Sequence, residues 1–461
     1  MHYLLPTQLR TSALNTIKKY NQTVILFVLF LTNTVLKGIF LSSSSLGSDE
    51  AFSVYHAQMN ISSIIWFLSQ GNNPPLYEII LHFWIKIFGI SEFSVRLPSL
   101  IFSSVTVLYI FKLGNKFLNK RIGIYASLVF IFSNYQISYA HEARAYALLG
   151  LLSVVSMYYF MKLIEYCTSN QEVKNMKTAA GKNMIILILV NTLIVYLHYL
   201  GFCILLAQFI FIISHKKIIS RYFKEIIIFY FAIVLLYLPN IFAFFKIFLE
   251  RTQTGTFLTT PEGIHSIYNM IWTFSNMPVV AVSSILIIFI SLIKLVFYSN
   301  GHQITIYNKL VVFWFIFIFF FMFGVSYLIP MFLDRYLMPA AVAFSLLLGI
   351  CADFVIRIPR YSYIVPTLII LLFTATCQPD ITKRNKPDVK EITDKIKSLK
   401  TSNSLIIVSP FYYILNFFYY YDDKVFKACA ADGYTDTQLY PVTRKKNICY
   451  TNDIKDSDCK N

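Results

Sequence analysis

Eleven apolar stretches, separated by short polar or basic breaks, dominate the chain. They cover residues 23–41, 97–113, 122–139, 143–160, 184–199, 201–213, 226–245, 279–297, 310–328, 336–354 and 363–376. Continuous apolar runs of this kind predict helices, and a run of about 20 residues is long enough to cross the hydrocarbon core of a bilayer. The fifth and sixth stretches meet at residues 198–201, where a tight hairpin is expected. The first follows Lys18 and Lys19 and precedes a Ser cluster, as a signal peptide would. Its length, and the spans after it, favour a retained signal-anchor.

The basic residues in the breaks set an orientation. Lys112, Lys116, Lys120 and Arg121 lie between the second and third stretches, and Lys174, Lys177 and Lys182 between the fourth and fifth. Lys216, Lys217, Arg221 and Lys224 lie between the sixth and seventh, and Arg357 and Arg360 between the tenth and eleventh. If every stretch crosses, these four loops share the side of the N-terminus, and the positive-inside rule makes that side cytoplasmic. Two larger regions then fall outside: a first loop at 42–96 and a tail at 378–461. In the tail, Val389, Ile392, Ile396 and Leu399 recur at helical spacing, 405–408 reads as a short strand before Ser409-Pro410, and 411–421 is an aromatic helical stretch. The expected architecture is all-α and polytopic, with about eleven transmembrane helices in residues 1–377 and a small extracytoplasmic α/β domain in 378–461. No long-period repeat is present.

Composition agrees. The 461 residues are 57% hydrophobic and 14% charged, whereas soluble domains carry about 25% charged residues. The net charge of +17 does not signal nucleic-acid binding, because the basic residues sit in short loops and no compact basic domain or nucleic-acid motif is seen. Of seven Cys, Cys203 and Cys351 lie in apolar runs, and Cys429, Cys449 and Cys459 lie in the tail, where at most one bridge is expected.

Polar clusters mark where chemistry sits. The first loop holds Gly47-Ser48-Asp49-Glu50, then Asn72-Asn73-Pro74-Pro75-Leu76-Tyr77 opening an amphipathic stretch through residue 88, and ends at Arg96-Leu97-Pro98. A second cluster, His141-Glu142-Ala143-Arg144-Ala145-Tyr146, lies between the third and fourth stretches, and a third, Asp334-Arg335-Tyr336, opens the tenth. In the expected topology all three fall at the outer face. Ionisable residues at such positions are costly to bury and mark function.

These motifs, in this order, resemble the GT-C glycosyltransferases that include protein O-mannosyltransferases and lipid A aminoarabinose transferases. Those proteins carry an Asp-Glu pair in the first external loop, a Pro-Pro-Leu-Tyr helix, an Arg-Leu-Pro entry, a Gln-Glu-Ala-Arg-x-Tyr turn and a later Arg-Tyr-Leu-x-Pro. Here the corresponding residues are Asp49-Glu50, Pro74 to Tyr77, Arg96 to Pro98, His141 to Tyr146 and Arg335 to Pro339. The chain departs at Asn73, where His or Lys is common, and at His141, which replaces Gln.

The resemblance implies an inverting transferase of the inner (plasma) membrane that draws a sugar from a polyprenyl phosphate. The acceptor would be a hydroxyl of a membrane-anchored cell-envelope glycan or lipid; an exported protein Ser or Thr is the alternative. Asp49 would be the general base and Glu50 its catalytic neighbour, positioning the acceptor or orienting a neighbouring base. Arg144 and Arg335 would bind the donor phosphate, with Glu142, Tyr77, Lys86 and Tyr336 as further donor contacts. No cofactor is named, and a divalent metal stays open. A lipid-linked-sugar transporter is the rival, but transporters place ionisable residues near the midplane. Blander readings make Arg96 a structural cap, Arg335 an interfacial anchor, and His56, His82 and His198 structural, since they lack the paired spacing of metal ligands. Asp456-Ser457-Asp458 reads as an accident of a charged terminus.

Overall fold

A computed structural model describes residues 7–451, apart from 72, 170–173, 255–259, 262, 298–303, 357, 359, 386–387, 403 and 436–437. Helix α1 (Thr7–Gly38) leads into an outer loop with three short helices, α2 (Ser48–Ala57), α3 (Ile61–Leu68) and α4 (Leu76–Phe88). The bundle continues with α5 (Glu92–Leu113), α6 (Lys120–Ile131), α7 (Asn134–Ala140), α8 (Tyr146–Thr168), α9 (Lys174–Leu197), α10 (Phe202–Ile213) and α11 (Lys216–Thr254). It closes with α12 (Ile264–Phe274), α13 (Pro278–Phe297), α14 (Ile306–Val325), α15 (Met338–Val355) and α16 (Ile364–Ala375).

Helix α15 is the axis of the bundle. Every residue from Met338 to Ala352 is buried, against α6, α8, α13 and α14. At the end of α5, Gly114 lies so close to Gly123 of α6 that a Cβ on Gly114 would strike the Gly123 backbone, and a Cβ on Gly123 would press on the Phe111 carbonyl and the Asn115 amide.

All eleven apolar stretches fall on helices, but the count of spans is lower by length and composition. Seven helices among the described residues are long and apolar enough to cross a membrane. The sixth and eleventh stretches are α10 and α16, of 12 residues each, which rise only about 18 Å. The third is broken: α6 stops at Ile131, and the Ser133 side chain caps a separate seven-residue α7. The first, in α1, carries Asn33 and Lys37, both fully buried. They face α5, where Asn33 Nδ2 donates to Ser104 Oγ at 3.1 Å and Lys37 Nζ to Ser103 Oγ at 3.1 Å.

Ion pairs mark both ends of the bundle. At one end Lys116 pairs with Glu165 at 2.6 Å and Arg121 with Asp353 at 3.4 Å. At the other end lie the starts of α2, α8 and α15, which carry the motif residues.

The tail is a small α/β unit, as expected. Strand β1 (Ile406–Val408) pairs in parallel with β2 (Ile448–Tyr450), beside α17 (Ile381–Asn385), α18 (Val389–Leu399), α19 (Ile414–Tyr421), α20 (Asp423–Ala431) and α21 (Tyr440–Arg444). It docks on the first loop: Asn416 Nδ2 donates to Leu46 O at 2.8 Å, the Leu46 amide to the Tyr420 hydroxyl at 2.7 Å, and the Tyr55 hydroxyl to Tyr434 O at 2.9 Å. Cys449 is disulfide-bonded and Cys429 is free. Cys459, Asp456 and Asp458 lie outside the described residues.

Candidate active site

The site is built on a buried clamp. Gly47 precedes α2, and the Glu50 carboxylate turns back to accept from the Gly47 amide at 2.7 Å. It also accepts from Arg96 Nε and Nη2 at 2.8 and 3.0 Å, and from the Ala143 amide at 3.0 Å. The remaining Arg96 N–H groups reach the carbonyls of Leu41, Ser44 and Ser45 at 3.0, 2.8 and 2.9 Å. Both side chains are fully buried. One bidentate pair thus ties the first loop, the entry to α5 and the turn before α8 together. Glu50 was expected beside the acceptor as a catalytic carboxylate. Its oxygens instead face this clamp, so its place is in the framework.

Asp49 is the adjacent residue and turns the other way. Its Oδ2 accepts from Arg335 Nη1 at 2.8 Å, and the two side chains are 47% and 34% exposed. Arg335 stands on the 3₁₀ turn Asp334–Leu337 that leads into α15. Arg144 comes from the third side. Its Nη1 donates to Ser53 Oγ at 2.8 Å and to the Asp49 carbonyl at 3.4 Å, and lies 3.8 Å from Glu78 Oε1. Ser53 Oγ donates to that same Glu78 oxygen at 2.8 Å. Burial pushes the Glu78 carboxyl up, against the opposing pull of Arg144 and Ser53. Each guanidinium also lies by a tyrosine face, Arg335 5.5 Å from the Tyr336 ring centroid and Arg144 5.9 Å from that of Tyr146.

The structure thus brings Asp49, Arg144, Arg335 and Tyr336 together. Tyr77 is buried beside Glu78 on α4. Glu142 lines a neighbouring polar cavity of about 320 Å³ with Asp334, Tyr135, Tyr139 and Thr382. Lys86 is not brought in: it is exposed, eight residues beyond Glu78 and so about 12 Å further along α4. Asn72 lies outside the described residues.

Sequence reasoning missed Glu78 and Ser53. The signal for Glu78 was present: Tyr77, Glu78, Leu81, His82 and Ile85 share one buried helical face, where a carboxylate needs a partner. His56 is buried with its ring stacked on Phe67, centroids 4.3 Å apart. Burial, offset in part by a hydrogen bond to Phe52 O and reinforced by Arg144, holds its pKa down at about 4. Among the described residues no three His, Cys, Asp or Glu side chains converge as metal ligands.

Residues 72–242 match the family model described as dolichyl-phosphate-mannose-protein mannosyltransferase. No curated protein sequence matches the chain. Among solved structures, apo ArnT from Cupriavidus metallidurans superposes with a TM-score of 0.60 at 10% identity, over 88% of this chain and 85% of that one. The same protein bound to undecaprenyl phosphate gives 0.57 at 11% identity, over 92% and 89%. The archaeal oligosaccharyltransferase AglB from Archaeoglobus fulgidus, in complex with an inhibitory peptide and a dolichol-phosphate, gives 0.56 at 11% identity, over 88% of this chain and 64% of that one. The chain has the GT-C fold expected from its motifs, and over residues 72–242 it carries the sequence pattern of the dolichyl-phosphate-mannose-protein mannosyltransferase family.

Proposed function

We propose that the protein is an inverting glycosyltransferase that moves a sugar from a polyprenyl phosphate to a hydroxyl of a membrane-anchored glycan or lipid at the outer face of the plasma membrane. The observation that carries this reading is the half-exposed Asp49–Arg335 pair, in which a carboxylate from the first loop meets a guanidinium from the start of α15. The undecaprenyl phosphate and dolichol-phosphate named with the fold neighbours support a lipid-linked donor.

Arg335 and Arg144 hold the donor phosphate, each presenting a planar fork of N–H groups to its oxygens. The acceptor oxygen attacks the anomeric carbon as the bond from that carbon to the phosphate oxygen breaks, and the bonding electrons leave with the phosphate. Asp49 takes the acceptor's proton on Oδ1, since Arg335 engages Oδ2. Polyprenyl phosphate departs, and the single displacement inverts the anomeric centre. Glu78 and Ser53 fix Arg144 from behind. Glu142 and Asp334 offer acceptor oxygens to sugar hydroxyls in the adjoining cavity. The N-terminus is cytoplasmic and the tail external, by the charge of the loops.

The test is transfer from labelled polyprenyl-phosphate sugars by the purified chain, with mass analysis of the glycolipids and the anomeric configuration of the product. Absence of transfer across lipid and glycan acceptors, in protein shown to be folded, contradicts the reading. Retained configuration contradicts the single displacement.

A further inference from the structure

His198 stands between α9 and α10, before the 3₁₀ turn Tyr199–Gly201. The turn is tight enough that a Cβ on Gly201 would strike the side chain and carbonyl of Ile194. This fixes where the His198 ring points. Its Nδ1 accepts from the Leu200 amide at 3.2 Å. A ring nitrogen that accepts carries no proton, so the ring is neutral and its proton is on Nε2.

That Nε2 is buried and has no hydrogen-bond partner among the described residues. The ring is 4% exposed. It packs against Tyr336 and Tyr146, with centroids at 5.2 and 6.4 Å. These are the tyrosines whose rings carry Arg335 and Arg144, and His198 lies within electrostatic reach of both guanidiniums. Native proteins rarely leave a buried N–H unsatisfied. Two cations nearby favour an anion's oxygens as the acceptor.

We infer that the Nε2–H of His198 is a third donor, with Arg144 and Arg335, to a ligand phosphate. The inference rests on the lipid-phosphate reading of the site and deepens it. A neutral donor suits the position, because it adds a hydrogen bond without adding to the repulsion between two guanidiniums. Tyr336 is half-buried on its 3₁₀ turn. The same chemistry would serve a lipid phosphate or a free one.

The full chain in nanodiscs is titrated with undecaprenyl phosphate, with undecaprenol and with inorganic phosphate, as wild type, His198→Phe, His198→Gln and Arg335→Ala. His198→Phe keeps the ring packing and removes the donor. It weakens undecaprenyl phosphate roughly tenfold or more and leaves undecaprenol unchanged. His198→Gln, which restores an N–H, recovers part of the loss. Without ligand, His198→Phe unfolds no more easily than wild type, because it removes an unsatisfied donor. Wild-type affinity for undecaprenyl phosphate in His198→Phe, with weakened binding in Arg335→Ala, overturns the inference and leaves the lipid-phosphate reading standing. His198-dependent binding of inorganic phosphate alone upholds the donor role and overturns the lipid source. A wild-type protein that binds neither phosphate overturns both.

Discussion

Asp49 and Glu50 are neighbours on one turn of α2, and each meets an arginine, yet the two pairs serve different ends. Glu50 and Arg96 are fully buried, and their remaining hydrogen-bonding capacity goes to backbone amides and carbonyls. Asp49 and Arg335 are partly open to solvent. A buried, fully satisfied pair has no spare acceptor for a reaction, and losing one partner leaves an uncompensated charge in low dielectric. A half-exposed pair contributes little to stability, since water and ions screen it, so its groups can exchange partners when substrate arrives. In the proposed mechanism, which carboxylate serves as base follows from which way the turn of α2 directs each side chain.

This contrast is broken most sharply by attacking the clamp. Arg96→Ala should cost about 3–5 kcal/mol, the usual loss when one partner of a buried pair is removed, and activity should fall with the folded fraction. Unfolding of purified protein in detergent measures it; a loss below 1 kcal/mol would mean the clamp does not hold the loop. Near the same site, His56 gives a pH signature. Its folded pKa is about 4, against about 6.5 unfolded. The unfolded chain therefore binds a proton that the folded one refuses, and stability falls as pH drops from about 6.5 to about 4. The loss approaches roughly 3 kcal/mol and levels off below the folded value. The difference between wild type and His56→Phe over this window isolates the effect, and a pH-independent difference would refute it.

The open pair should behave in the opposite manner. Arg335→Lys keeps the charge but loses the fork; transfer should fall roughly tenfold, about 1.4 kcal/mol in the barrier, with unfolding nearly unchanged. An unchanged rate would make Arg335 an interfacial anchor. The smallest effect is expected where the tail docks beside the clamp. Ser45 Oγ donates to Asp388 Oδ1 at 2.7 Å, and Ser45→Ala should cost about 1 kcal/mol, read as faster proteolysis of the tail without loss of transfer per folded molecule.

The sequence made the bundle legible because lipid-facing helices need apolar residues on every side, and such runs leave little ambiguity. The polar motifs that converge at the candidate site were legible too, since charged residues stand out against apolar spans. Three features were hidden for physical reasons. The break between α6 and α7 rests on one capping serine inside an apolar run. No apolar stretch was drawn between residues 245 and 279, yet α12 lies there, its 11 residues too short to read as a span. The separate fates of Asp49 and Glu50 depend on Arg96, 46 residues from Glu50 in sequence, and spacing alone does not reveal a partner that tertiary packing selects. Arg96 itself was read as a structural cap on the entry to the second span, but the groups it closes lie after the first. Its guanidinium closes three carbonyls between α1 and α2.

The central claim is that Asp49 is the base and that it is not needed to hold the fold. Asp49→Asn keeps the side chain's size and polarity and removes its basicity. With protein of matched thermal stability, transfer and undecaprenyl phosphate binding are measured side by side. The account predicts a loss of transfer on the order of 10²–10⁴-fold, with lipid binding changed by only a few-fold because both guanidiniums remain. Transfer at the wild-type rate would remove Asp49 from the chemistry, and loss of lipid binding in step with transfer would make it a binding residue instead.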